Sequence, residues 1–101
     1  MRQTLRIKRV YFEQIKAETK NREYRSDTPF YRARFLNREI KEIVLFYSQT
    51  ENTRMLKKVY TIKLILTPAW LREIEPKIFN QQKVFEIVFK KGHSIYEKRH
   101  L

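Results

Sequence analysis

The stretch MLKKVYTIKLIL, Met55–Leu66, decides the fold class because apolar and polar side chains alternate along most of it. Alternation with a period of two is typical of a β-strand that has one buried face, and this stretch is long for a single strand. Glu42–Tyr47, just upstream, is rich in β-branched and aromatic residues, and Ser48–Arg54 between the two is polar. We therefore predict a β-hairpin with a polar loop.

Short strands and helices are predicted on the N-terminal side of this hairpin. Leu5–Lys8 begins as a strand, and Val10–Ala17 follows as a short helix with Tyr11 and Ile15 on one face. A further strand starts near Lys20. The turn residues of Ser26–Pro29 end it, and Phe30–Phe35 is predicted as a short helix or an irregular segment.

On the C-terminal side, Thr67 and Pro68 predict a helix start, with Thr67 as the N-cap and Pro68 at the first helical position. Val84–Phe89 is the last predicted strand. Four aromatic residues have a spacing that suits buried faces and are predicted to be core: Phe46, Trp70, Phe85 and Phe89. The tail carries the basic residues Lys90, Lys91, Lys98 and Arg99, which we expect to be solvated, the alternative being that they cross a phosphate backbone.

Together these elements predict an α+β chain that is mainly β, with about five or six strands in a barrel or strongly bent sheet and two or three short helices. The length of 101 residues fits one domain spanning residues 1–101. The chain has no cysteine, no apolar signal region and no run long enough to cross a bilayer. We therefore predict a cytoplasmic protein without a membrane partner.

The charge is strongly basic. Lys and Arg total 23 against 11 Asp and Glu, which gives a net charge of +12. The sequence pI near 10.2 exceeds the value of about 9 that is typical of nucleic-acid-binding domains. An anionic polymer is the predicted partner, and the alternative is that the charge only keeps the protein soluble.

The segment Lys20–Arg25, KNREYR, contains the strongest candidate site. In an extended strand Glu23 and Arg25 face one side, whereas Arg22 and Tyr24 face the other, and Lys20 lies where the strand begins. A carboxylate, a guanidinium and an ammonium can then converge on one ligand.

The residues from Leu5 to Phe35 resemble the ASCH family, whose members carry a G-x-K-x-x-E-x-R motif after the first helix of a PUA-like β-barrel. Lys20, Glu23 and Arg25 fill the K, E and R positions, and Thr28–Arg34 is similar to the T-P-F-W-x-x-R stretch of many small members. Glu18 stands where the family has glycine, so we expect the entry to the pocket to be shaped differently here. The resemblance implies a small single-domain ASCH member with a PUA-like barrel.

Lysine and arginine bind phosphate, and a carboxylate accepts a hydrogen bond from a base amine or acts as a general base. Stacking of a base on Tyr24, Phe30, Tyr31 or Tyr47 would add affinity, and Arg32 and Arg34 are candidate phosphate contacts. The alternative is that the motif residues only pair with one another. The predicted ligand-binding residues are Lys20, Arg22, Glu23, Arg25, Phe30, Tyr31, Arg32 and Arg34.

Three functions remain open. The first is binding of RNA, or another single-stranded nucleic acid, in a basic cleft that carries the motif. The second is an enzyme, with Lys20 and Glu23 as catalytic residues, acting as a ribonuclease or on a nucleotide or nucleoside. A related group deacylates modified cytidine with K-x-x-T-x-R, and Glu23 replaces that threonine, which argues against an amidohydrolase. The third is a non-catalytic basic adaptor on a ribonucleoprotein or an acidic protein.

Other chemistry has little basis in the sequence. His93 and His100 have no carboxylate pattern beside them, so no metal site is predicted. A single glycine cannot make a phosphate-cradling loop. We predict no cofactor, and the sequence indicates no particular oligomeric state.

Overall fold

The computed structural model describes residues 1–48 and 53–97, and these form six strands and three short helices. In chain order they are β1 (Arg2–Arg6), α1 (Arg9–Lys16), β2 (Arg22–Ser26), α2 (Pro29–Phe35), β3 (Glu42–Phe46), β4 (Thr53–Leu66), α3 (Ala69–Ile74), β5 (Lys83–Phe89) and β6 (Ser94–Glu97). The prediction of an α+β chain that is mainly β is confirmed, because strands hold 42% of the residues and helices 23%. Residues 49–52 of the predicted loop, and the basic tail with Lys98 and Arg99, lie outside the described residues.

The strands form one curled sheet in the order β1-β3-β4-β5-β2, with β6 also pairing with β4. β1 and β3 are parallel, and the other pairs are antiparallel. The predicted hairpin is confirmed, because Leu45 of β3 pairs with Met55 of β4. The sheet closes into a half-barrel, which agrees with the predicted bent sheet.

The long strand β4 is what bends this sheet. Its first part pairs with β3 and β6, and from Val59 onward it pairs with β5. The register shifts between Val59 and Thr61, which marks a β-bulge. A bulge increases the local twist of a strand, so β4 can contribute to both halves of the sheet.

The main core cluster joins α1 and α2 to the strands of the sheet. Phe12 and Ile15 of α1 are buried against Leu45, Met55 and Phe85. Burying side chains of this size stabilises a domain by about 1.5–3 kcal/mol each. A second, smaller cluster joins α3 to β2 and β5 through Tyr24, Leu71, Phe79 and Val84.

Of the four aromatic residues predicted to be core, three are buried. Phe46, Phe85 and Phe89 expose 9% or less of their surface, whereas Trp70 exposes 49%. The prediction for Trp70 was therefore wrong. In α3 the buried residue is the neighbouring Leu71, and the apolar pattern of so short a helix does not show which of two adjacent faces is covered.

Several element boundaries also differ from the predictions. β1 begins at Arg2 and not at Leu5, because Arg2–Arg6 pairs in parallel with Glu42–Phe46. The strand β6 was not predicted. Pro68, and not Thr67, is the N-cap of α3, since the Thr67 hydroxyl donates instead to the carbonyl of Gln81 at 2.7 Å.

The segment after β2 folds as a helix for local reasons. Pro29 occupies the start of α2, where its missing N–H is not needed. The Thr28 hydroxyl accepts a hydrogen bond from the Tyr31 amide at 3.2 Å and caps the helix. This cap places Tyr31 beside β2.

Candidate functional site

A cavity of about 630 Å³ lies along β2, the last strand in the sheet order. One wall is the segment Arg6–Tyr11, which leads from β1 into α1. The other wall is α3 with the turn that follows it, from Trp70 to Phe79. The volume is in the range of small-molecule sites. We call this cavity the β2 cleft.

Glu23 and Arg25 lie on the same face of β2, as the alternation of the strand predicts, and both line the β2 cleft. Tyr24 and Ser26 line it as well, so the cavity is not confined to that face of the strand. The Arg25 Nη2 donates to Glu23 Oε2 at 2.9 Å. Glu23 is only 6% exposed, and its other oxygen accepts the Tyr24 backbone N–H at 3.3 Å. This carboxylate is therefore fixed in place and needs no rearrangement before it meets a ligand.

Arg25 connects three elements beneath the cleft. Besides Glu23, its guanidinium donates to the backbone carbonyl of Arg6 at 2.7 Å and to the Tyr31 hydroxyl at 3.0 Å. It also lies 5.7 Å from the centre of the Tyr31 ring. These bonds tie β2 to β1 and α2. Arg25 therefore orients Glu23 and Tyr31 in addition to any contact with a ligand.

Lys20 is the motif cation that remains available. Its ammonium lies 4.1 Å from the centre of the Tyr11 ring and forms no hydrogen bond or ion pair with the part of the chain that is described. Burial lowers the pKa of Lys20, and the nearby negative charge of Glu23 partly opposes this. A half-buried ammonium with unused donors favours an anionic or carbonyl oxygen as its partner.

The α3 wall of the β2 cleft is apolar. Trp70, Ile74 and Ile78 line the cavity and expose 49%, 56% and 47% of their surfaces. The Trp70 ring packs edge-on against Tyr24, with ring centres 5.4 Å apart. An exposed tryptophan supported by a second ring offers a rigid surface for a flat ligand.

The opposite wall is basic. Arg6, Lys8 and Arg9 line the cavity there, and the Arg9 guanidinium lies 5.4 Å from the centre of the Tyr47 ring. Lys8 forms an ion pair with Glu75, the residue that ends α3, and this pair joins the two walls. This pair raises the pKa of Lys8, chiefly through its hydrogen bond to Glu75. The β2 cleft thus has an apolar wall that faces a cationic wall.

Four predicted binding residues do not line this cavity. Arg22 lies on the other face of β2 and pairs with Glu86 at 3.4 Å. Arg32 pairs with Asp27, and Arg34 donates to the Gln3 side chain at 2.9 Å. Phe30 is 59% exposed and lies 5.3 Å from the Arg34 guanidinium. Among the predicted residues, the structure brings together Lys20, Glu23, Arg25 and Tyr31.

Sequence reasoning missed the residues that arrive from other segments. These are Arg6, Lys8, Arg9 and Tyr11 on one wall and Trp70, Ile74 and Glu75 on the other. The general excess of positive charge was the available signal for the basic wall. For the α3 wall the only signal was the repeat of Trp70, Ile74 and Ile78 at intervals of four residues, which is equally typical of a buried helix face.

The turn before Lys20 is built around Glu18. Its φ of 59° is in the left-handed region, which glycine favours. The Glu18 carboxylate accepts the Gly92 N–H at 2.6 Å, which lowers the pKa of Glu18. The buried Lys57 donates to the Gly92 carbonyl at 2.9 Å. The turn therefore adopts a glycine-like conformation, and the Glu18 side chain ties it to the loop after β5.

Within residues 1–48 and 53–97 no group of three or more His, Asp or Glu side chains is arranged to hold a metal ion. None of the described helices has the length and apolar character needed to cross a membrane. No protein-family model, no curated protein and no solved structure matches the chain. Its function must therefore be argued from the β2 cleft itself.

Proposed function

We propose that this protein binds single-stranded RNA by taking one nucleotide into the β2 cleft. The observation that carries the proposal is that one cavity holds both a half-buried ammonium with no partner among the described residues, Lys20, and a fixed carboxylate, Glu23. An apolar wall and a basic wall flank them. Such a site offers a donor and an acceptor for a base edge, an aromatic surface for stacking, and cations for phosphate.

The shape of the site favours a single strand over a duplex. A base can reach Glu23 in the cleft only when it is unpaired and unstacked, because the carboxylate is almost completely buried. Trp70 then provides a stacking surface that contributes about 1–3 kcal/mol per base in other proteins. The basic side chains that line the opposite wall would then contact the backbone of the same strand.

We also propose that the chain is a small member of the ASCH family. The support is the resemblance of its motif and the way the elements are arranged, with Lys20, Glu23 and Arg25 following α1 and converging beneath one cavity. The bent, mainly β sheet is compatible with a PUA-like barrel. A free nucleotide or nucleoside is the smaller ligand that the same cleft would accept.

Binding is tested by titrating a short labelled RNA, and DNA of the same sequence, with wild type and with Lys20→Met. We expect Lys20→Met to weaken RNA binding about tenfold, in line with the loss of a charge-assisted contact. Lys16→Met is the matched control, since Lys16 is exposed on α1 and does not line the cavity. Equal affinity of the three proteins would contradict the proposal.

A second candidate, a ribonuclease, is favoured by the lowered pKa of Lys20 beside Glu23. Glu23 would take the proton of an RNA 2′-hydroxyl, and the oxygen of that hydroxyl would bond to phosphorus. The bond from phosphorus to the 5′-oxygen would break, and Lys20 would protonate that leaving oxygen. RNA shortened by wild type and left intact by Glu23→Gln would establish this activity.

The same titration distinguishes RNA binding from the adaptor hypothesis. Binding that is equal for RNA, DNA and heparin, and equally lost at high salt, would indicate only a basic surface. Preference for RNA that depends on Lys20 would exclude the adaptor as the sole function.

A further inference from the structure

The ion pair between Lys8 and Glu75 joins the two walls of the β2 cleft. Lys8 is the N-cap of α1 on the basic wall, and Glu75 is the C-cap of α3 on the apolar wall. The two residues are 67 positions apart in sequence, and both line the cavity. The side chain of Lys8 is 59% exposed, whereas that of Glu75 is 23% exposed. The pair is therefore accessible from solvent on the lysine side.

Lys8 and Lys20 both place their ammonium groups near the ring of Tyr11. The two ammonium groups lie 5.9 Å and 4.1 Å from the centre of one ring, that of Tyr11. Lys20 is half-buried and Lys8 is at the surface. A nucleotide whose base reaches past Lys20 would bring its phosphate toward Lys8.

Glu75 differs from the other acidic residue that lines the cavity. Glu23 is held by Arg25 and a backbone amide inside the cleft, whereas Glu75 neutralises a solvent-exposed lysine. A carboxylate and a phosphate are the same kind of acceptor for an ammonium. The Glu75 carboxylate therefore occupies the position on Lys8 that a phosphate would take.

We propose that Lys8 is a phosphate subsite of the β2 cleft and that Glu75 is its internal competitor, displaced when a nucleotide phosphate binds. This inference rests on the proposed function of the cleft. It makes the ligand a phosphorylated one, because a free nucleoside has no group that can replace Glu75 on Lys8. Glu75 thus reduces the affinity for ligands that carry phosphate near the base and leaves the affinity for a nucleoside unchanged.

The test compares Glu75→Gln with Glu73→Gln in titrations with a short labelled single-stranded RNA. Both variants remove one negative charge from α3, but Glu73 is exposed and does not line the cavity. We expect Glu75→Gln to bind RNA about two- to fivefold more tightly, the factor by which an exposed ion pair competes. Glu73→Gln is expected to bind like wild type.

Measuring Lys8→Met alone and combined with Glu75→Gln completes a double-mutant cycle. Lys8→Met is expected to weaken RNA binding and to abolish the gain from Glu75→Gln, because the released partner is then absent. Unfolding curves of all variants verify that the β2 cleft is intact. Competition with a nucleoside and with the corresponding 5′-monophosphate provides a second readout, in which only the monophosphate is expected to bind more tightly to Glu75→Gln.

Two results would overturn the inference while leaving the proposed function standing. One is an equal gain from Glu73→Gln and Glu75→Gln, which would be a general charge effect. The other is weaker binding by Glu75→Gln, which would mean that the carboxylate itself holds the ligand. RNA binding by wild type that depends on Lys20 shows in either case that the cleft is used. Absence of RNA binding in every variant would overturn both proposals.

Discussion

The charge of Lys20 is poorly accommodated by its surroundings. Its ammonium is half-buried, lies over the Tyr11 ring and lacks a hydrogen-bonding partner among the described residues. A site of this kind is retained for ligand binding at some expense to stability. We therefore expect Lys20→Met to stabilise the free protein and to raise the melting temperature by about 2–4 °C at neutral pH. Lys16→Met, which alters an exposed lysine, should not change the melting temperature.

The pH dependence of this effect has a defined sign. Burial lowers the pKa of Lys20 in the folded protein below its unfolded value. The unfolded state therefore binds the proton more tightly, and the unfavourable contribution of Lys20 is present in full below the folded pKa. It fades as pH rises from the folded pKa to the ordinary lysine value of about 10.4. The melting temperatures of wild type and Lys20→Met should converge over that pH interval. A difference in melting temperature that stays constant with pH would contradict the burial argument.

At the scale of elements, the turn between α1 and β2 determines where Lys20 lies. Glu18 has a left-handed backbone, and its carboxylate is bonded to Gly92, the only glycine of the sequence. Replacement by alanine would keep the strained conformation and remove the bond, whereas glycine would remove both. We expect Glu18→Ala to be less stable than wild type and Glu18→Gly to melt about 4 °C or more above Glu18→Ala.

Glu18→Gln is the matched control for this turn, because its amide oxygen can still accept the Gly92 N–H. Its stability should lie closer to wild type than that of Glu18→Ala. RNA affinity measured on the same variants shows whether the turn also positions Lys20. Alanine and glycine variants of equal stability would show that the backbone at this position carries no strain.

The elements differ in how much the sequence reveals about them. Strand alternation predicted that Glu23 and Arg25 share a face, because side-chain direction in a strand depends on local geometry alone. The long strand β4 was predicted for the same reason. Trp70 and Glu75 could not be placed, since their position over β2 depends on how α3 packs against Tyr24 and Val84 from distant segments. The sequence therefore predicted the β2 residues that line the cleft and missed the residues of its two walls.

At the scale of the whole molecule, the net charge of +12 is spread well beyond the β2 cleft. The steepness with which RNA affinity falls as the salt concentration rises reports how many phosphates the protein contacts. The cations of the cleft predict about two to four contacts, and thus a slope of about −1.5 to −3 for log affinity against log salt on single-stranded RNA. Lys63→Gln, on an exposed residue of β4 outside the cavity, should leave this slope unchanged.

Removal of Lys8 should make the slope shallower by up to about 0.7, the contribution of one phosphate on a single strand. Fluorescence anisotropy over a series of salt concentrations measures both values. A slope much steeper than −3 would indicate that RNA extends over the surface far from the β2 cleft, and the site would then have to be redefined.

The pairing of β2 with β5 also sets the order of events during synthesis. Arg22 and Glu86, which form an ion pair between these strands, are 64 residues apart in sequence. A nascent chain therefore displays Lys20, Glu23 and Arg25 well before the strand that supports them has left the ribosome. Closing so long a loop is slow, and such contacts form late in folding. The β2 cleft can therefore form only after β5 has been translated.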